Sequence, residues 1–115
     1  MTVTIYHNPR CSKSRQTLAL LEERGIEPKI VEYLKNPPDE KRLRSLLKKL
    51  GLRPIDLIRK GEAEWKQSGL DASASDDELI ALMLRHPILI ERPIVEVGQR
   101  AKLGRPPEQV LELIE

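Results

Sequence analysis

Residues 2–34, TVTIYHNPRCSKSRQTLALLEERGIEPKIVEYL, change period twice, and those two changes decide the fold. The opening run TVTIY, residues 2–6, is β-branched or aromatic, a composition that suits a pleated strand. Asn8-Pro9 breaks it. From about Ser12 the composition turns helical, with Leu18, Ala19, Leu20 and Leu21 on a broad apolar face, and Gly25 stands where a C-terminal cap belongs. KIVEYL, residues 29–34, returns to strand composition. Strand, helix, strand at this spacing is a βαβ unit, whose two strands should run parallel.

The middle of the chain differs. Leu43, Leu46, Leu47 and Leu50 keep helical spacing in residues 37–51, with Gly51 behind them. RPIDLIRKG, residues 53–61, reads as a short helix introduced by Pro54 and ended by Arg59. Ser75 and Glu78 form a capping-box pattern ahead of LIALMLR. Residues 37–86 therefore read as all-helical. RPIVEV and RAKLG then read as two strands about a turn at Gly98 and Gln99, and PPEQVLELIE closes as a helix with prolines in its first turn. The order βαβ–(helical insert)–ββα is that of a thioredoxin-like α/β domain with a small mixed sheet. Residues 1–115 form one such domain in this reading, with a helical insertion at about 37–86.

Composition narrows the function. A chain of 115 residues with 39% hydrophobic and 33% charged side chains is an ordinary soluble balance. Phe is absent, so Leu, Ile and Val must build the core. The net charge of +2 is too small to point to nucleic acid or an anionic membrane. The basic run KRLRSLLKK keeps its leucines at helical spacing and lacks aromatics, so no nucleic-acid partner is expected. No apolar stretch is long enough to span a membrane, and the N-terminus lacks the pattern of a signal peptide. The expectation is a cytoplasmic protein.

Cys11 is the only cysteine, so it can form no disulfide within the chain. It sits where the first strand gives way to the first helix, among His7, Arg10, Lys13 and Arg15. Either it is a small core residue, or it is a nucleophile whose second thiol comes from another molecule. Unpaired N–H groups and the positive end of the dipole at a helix N-terminus favour the thiolate. In Cys-Ser-Lys-Ser, Ser14 occupies the place of the second thiol of a Cys-x-x-Cys pair, and serine cannot resolve a mixed disulfide. Its hydroxyl can donate to the thiolate or merely cap the helix. His7 can tune the thiol or serve the structure. His7, Cys11 and His86 match no common zinc spacing, so no metal is expected.

Arg92 and Arg105 each precede a proline, which favours extended backbone for both. In thioredoxin-like folds the loop before the third strand carries a cis proline against the active-site thiol, which predicts a cis Arg92–Pro93 bond and an Arg92 guanidinium aimed at Cys11. Any single arginine is ordinarily a solvated charge. Three converging on a thiolate would bind a tetrahedral oxyanion.

The segments IYHNPRCSKSRQTL, LIRKG, HPILIERPIV and GRPPEQVLELI resemble, in order and spacing, the motifs of the glutaredoxin-coupled arsenate reductase family. Arg10, Ser12 and an end directly after the last helix resemble its short subfamily without a C-terminal extension. The resemblance implies an oxidoreductase that reduces arsenate to arsenite through a Cys11 thiol–arsenate adduct. It implies Arg59, Arg92 and Arg105 as substrate-binding residues, and His7, Ser14 and Arg15 as residues that activate the thiol. It also implies glutathione as co-substrate and glutaredoxin as partner, with no tightly bound cofactor. The alternatives are a glutathione-dependent thiol-disulfide reductase and a non-enzymatic regulator that binds RNA polymerase. Such regulators commonly carry a Cys-x-x-Cys switch, which Ser14 removes, and the arginine set favours the enzyme.

Overall fold

β1 spans Val3–His7 in the computed structural model, which describes residues 2–114. It lies at the centre of a four-stranded mixed sheet of order β2-β1-β3-β4. β2 (Lys29–Glu32) runs parallel to β1, with Ile5 opposite Ile30 and His7 opposite Glu32. A parallel neighbour needs a crossover, and α1 (Ser12–Glu23) supplies it. β3 (Ile94–Val97) is antiparallel to β1, with Ile5 opposite Val95, and β4 (Arg100–Leu103) is antiparallel to β3. Gly98, at a φ of 59°, opens the turn between them. This is the thioredoxin-like arrangement, interrupted between β2 and β3 by helices.

The chain forms two compact units, Met1–Asn36 with Arg92–Glu115, and Pro37–Glu91. In the first, Val3 and Ile5 of β1 and Val95 of β3 share a core with Leu21 of α1 and with Val110 and Leu113. The inward stripe of α1 differs from the leucine face that composition suggests. Ser14, Thr17 and Leu21 are buried and Leu18 packs beside the core, whereas Ala19 is exposed. Steps of three and four residues keep these positions on one side of a helix, so geometry selects the stripe and two small hydroxyl residues go inside. Thr17 Oγ1 donates to the Lys13 carbonyl at 2.8 Å, which satisfies its hydroxyl.

The closing helix is 3-10 rather than α, over Pro107–Leu113. Its buried residues are Pro107, Val110 and Leu113, three apart each time. Three residues per turn is the repeat that puts all of them on one face.

In the second unit α2 (Glu40–Leu50) is capped by Asp39, whose Oδ1 accepts from the Arg42 N–H at 2.8 Å. α3 (Pro54–Leu57) and α4 (Ala63–Ser68) are short, and α5 (Asp76–Arg85) starts with the Ser75–Glu78 capping box. Leu43, Leu46 and Leu47 of α2 and Leu79, Leu82 and Met83 of α5 are buried, and α5 packs on α2 and α3. The insert is not wholly helical. Ile58 pairs with Ile90 in an antiparallel bridge, and a 3-10 turn covers Pro87–Leu89. Arg59 therefore lies beyond its helix, not at the end of it, because the bridge takes the backbone: Arg59 N–H donates to the Leu89 carbonyl at 2.8 Å and Glu91 N–H to the Leu57 carbonyl at 2.9 Å. Among the described residues no helix is long and apolar enough to cross a membrane.

Candidate active site

Asn8 builds the turn that presents the thiol. Its backbone carbonyl accepts the Cys11 N–H at 3.0 Å, its side-chain Oδ1 accepts the Arg10 N–H at 3.0 Å, and its own N–H donates to Ser14 Oγ at 3.0 Å. An asparagine ahead of a proline is well suited to this, because its short amide can bond the backbone two residues on. Cys11 then takes the N-cap position of α1 with extended backbone. The sulfur is left beside the first amides of the helix. Cys11 is partly buried, not a sealed core residue.

Burial pushes the Cys11 thiol up, but opposing influences outweigh it. The backbone N–H groups of Ser14 and Lys13, and after them the guanidinium charges of Arg105 and Arg92, favour the thiolate, so the thiol lies below its ordinary value. Arg105 Nη2 stands 3.6 Å from Cys11 Sγ, and Arg105 Nε donates to the Arg92 carbonyl at 2.8 Å. One arginine thus touches both the sulfur and the backbone of the other arginine. Arg92 is only 6% exposed, which makes it a placed charge and not a solvated one. Both Arg92–Pro93 and Arg105–Pro106 are cis; only the first is expected from its place before the third strand of a thioredoxin-like fold.

His7 and Ser14 are joined to each other. His7 Nδ1 and Ser14 Oγ are 2.6 Å apart, and both residues are buried. The Ser14 hydroxyl is therefore engaged with His7 and with the Asn8 amide, and what Ser14 offers the thiol is its backbone N–H. Burial lowers the pKa of His7, with Glu32 on the adjacent strand pulling it up and Arg15 pushing it further down. The shift favours the neutral imidazole. Arg15 is exposed and its Nη1 donates to the Pro9 carbonyl at 2.9 Å, which ties the first turn of α1 to the loop before it.

The first unit thus gathers His7, Cys11, Ser14, Arg15, Arg92 and Arg105. Arg59 belongs to the second unit, where its Nε lies 3.6 Å from the Glu91 carboxylate. Among the described residues, no three His, Cys, Asp or Glu side chains group as they would around a metal ion. Composition missed Asn8, read only as a strand breaker, and Glu32, whose place opposite His7 depends on strand register. The amides of Lys13 and Ser14 are the helix-start N–H groups that the position of Cys11 implied.

Residues 6–113 match the ArsC family. The chain belongs to it. Among ArsC relatives it is 53% identical over 114 residues to an uncharacterized Escherichia coli protein, YfgD, with 97% of this chain and 96% of that one covered. It is 48% identical over 116 residues to an arsenate reductase of Haemophilus influenzae, covering 99% and 100% of the two. The solved structure of an arsenate reductase from Vibrio cholerae matches with a TM-score of 0.93 and 52% identity, over 97% of each chain.

Proposed function

We propose that this ArsC-family protein is an arsenate reductase that uses Cys11 as its nucleophile and glutathione with glutaredoxin as its reductant. The observation that carries the reading is the Arg105 guanidinium 3.6 Å from a thiol at a helix N-terminus. A thiolate approaching a multiply charged oxyanion meets like-charge repulsion, and a fixed guanidinium offsets it where charge accumulates. The Cys11 sulfur forms a bond to arsenic, and an arsenate oxygen leaves as water after gaining protons. The glutathione thiolate next attacks the Cys11 sulfur. The S–As electron pair stays on arsenic, which falls from the +5 to the +3 state and departs as arsenite. A glutaredoxin thiol then takes the glutathione from the Cys11–glutathione disulfide and frees the thiol for another cycle.

Arg92 and Arg105 are the oxyanion-binding residues in this reading. Arg59, in LIRKG, matches the family's third substrate-binding arginine by resemblance alone. His7, Ser14 and Arg15 support the thiolate through the hydrogen bonds described above. The cytoplasm, where glutathione keeps thiols reduced, is the compartment this chemistry needs.

The test is NADPH consumption with glutathione, glutathione reductase and glutaredoxin, with and without arsenate, alongside a Cys11→Ser variant. Arsenate-dependent consumption that disappears in Cys11→Ser supports the reading. Consumption unaffected by arsenate, but stimulated by glutathionylated protein, would replace it with a thiol-disulfide reductase.

A further inference from the structure

The glycine before Arg105 is unlike the other glycines. A Cβ placed on Gly25, Gly51, Gly61, Gly69 or Gly98 would meet nothing within 4 Å. A Cβ on Gly104 would run into Thr17 Oγ1, would lie 2.7 Å from Pro93 Cγ and would press on Thr17 Cγ2 at 3.1 Å. Gly104 does not have a positive φ, so what it supplies is space, not an unusual backbone conformation. The two neighbours that use this space have little freedom to move aside. The Thr17 hydroxyl is held to the Lys13 carbonyl at 2.8 Å, and the closed proline ring can shift its Cγ only by a change of pucker.

Both neighbours also bear on the thiol. Lys13, the acceptor for Thr17, gives its amide to Cys11, and Pro93 follows Arg92, whose carbonyl receives Arg105 Nε. Gly104 N–H donates to the Pro93 carbonyl at 2.9 Å, and Arg105 follows directly. We propose that Gly104 is a positioning residue for the thiol site: its missing side chain lets the end of β4 close on Thr17 and Pro93, and that approach seats the Arg105 guanidinium against Cys11 Sγ. The proposal rests on the reading of Cys11 as the reacting group, but not on arsenate as its substrate.

The experiment compares Gly104→Ala, Arg105→Ala and the double variant by the pH midpoint of iodoacetamide alkylation at Cys11, with circular dichroism to confirm folding. Arg105→Ala should move the midpoint up. Gly104→Ala should move it in the same direction, and the double variant should move no further than Arg105→Ala alone, because both act through one guanidinium. Arsenate turnover should fall about ten- to a hundredfold in Gly104→Ala, the scale of an active-site misplacement near 1 Å. Adding Thr17→Ala to Gly104→Ala opens room beside the new methyl and should bring the midpoint partly back.

A folded Gly104→Ala protein with an unchanged midpoint overturns the proposal while leaving the thiolate reading intact. An unchanged midpoint in Arg105→Ala removes the coupling of arginine to thiol and takes the proposal with it. If Gly104→Ala does not fold, the Thr17→Ala/Gly104→Ala protein is measured in its place. If neither folds, Gly104 serves the fold and not the site, and the proposal fails.

Discussion

The lowered pKa of Cys11 rests on groups of two kinds, and substitution separates them. Ser14 and Lys13 act through backbone amides, which any residue except proline retains. Arg105 and Arg92 act through side-chain charge. Ser14→Ala should therefore move the alkylation midpoint of Cys11 less than Arg105→Ala does; the reverse order would mean that the Ser14 hydroxyl, not its amide, holds the thiolate. Arg105→Ala should also lower kcat/KM for arsenate about a hundredfold, as the loss of one oriented donor does elsewhere. Arg105→Lys should recover only part of that, because an ammonium cannot bond the Arg92 carbonyl and the sulfur with one planar fork. Steady-state kinetics on the two variants checks the ordering, and equal activities would count against the fork. At this scale residue type alone singled out little beyond the cysteine. Cys11 stood out as the lone thiol at a helix start, and the prolines after Arg92 and Arg105 marked those two among many arginines, whereas the engagement of Ser14 with His7 depends on where a strand end meets a helix start.

Elements were legible where their local signals were strong. The βαβ opening follows from a β-branched run, an Asn-Pro break and a glycine stop, and the Ser75–Glu78 capping box is present at both of its bonds, 3.1 and 3.2 Å. The Ile58–Ile90 bridge was not legible, because its two partners are distant in the chain and Ile58 stands in a stretch that reads as helix. The closing 3-10 helix had a signal that helical composition hid: Pro107, Val110 and Leu113 recur every three residues. The capping box offers a check on the insert. Ser75→Ala removes the acceptor for the Glu78 N–H and should destabilise the protein by about 1 kcal/mol. Leu79→Ala, one turn away and fully buried, should cost about 2–5 kcal/mol. Thermal unfolding of both variants should rank them in that order, and a larger loss at Ser75 would mean that the cap, not the buried leucine, holds α5.

At the scale of the whole molecule, order along the chain identified the architecture, while burial assigned the electrostatics. His7 illustrates the difference. Its strand position was readable, but its pKa depends on burial first, then on Glu32 across β2 and on Arg15 from α1. The consequence is a testable link between pH and stability. His7 has a folded-state value below its ordinary 6.5, because the folded protein resists charging the ring. Between the two values the unfolded chain holds a proton at this position that the folded protein does not, so stability rises with pH there. The contribution is complete above 6.5 and is lost as pH falls through the folded value. Cys11 acts in the same sense, with its contribution complete above 9.0 and lost as pH falls through its own depressed value. The two can be separated by working in a Cys11→Ser background, where the thiol no longer titrates. In that background, His7→Asn should be compared with His7 by urea unfolding from about pH 8 down to about pH 5. Asparagine retains a polar group near Ser14 but cannot take up a proton. The variant should be the less stable of the two at the upper end, from lost packing, and the gap should narrow as pH drops below 6.5. A gap that stays constant across the range would mean that His7 does not titrate differently in the folded and unfolded protein, and the buried neutral imidazole beside Ser14 would have to be abandoned.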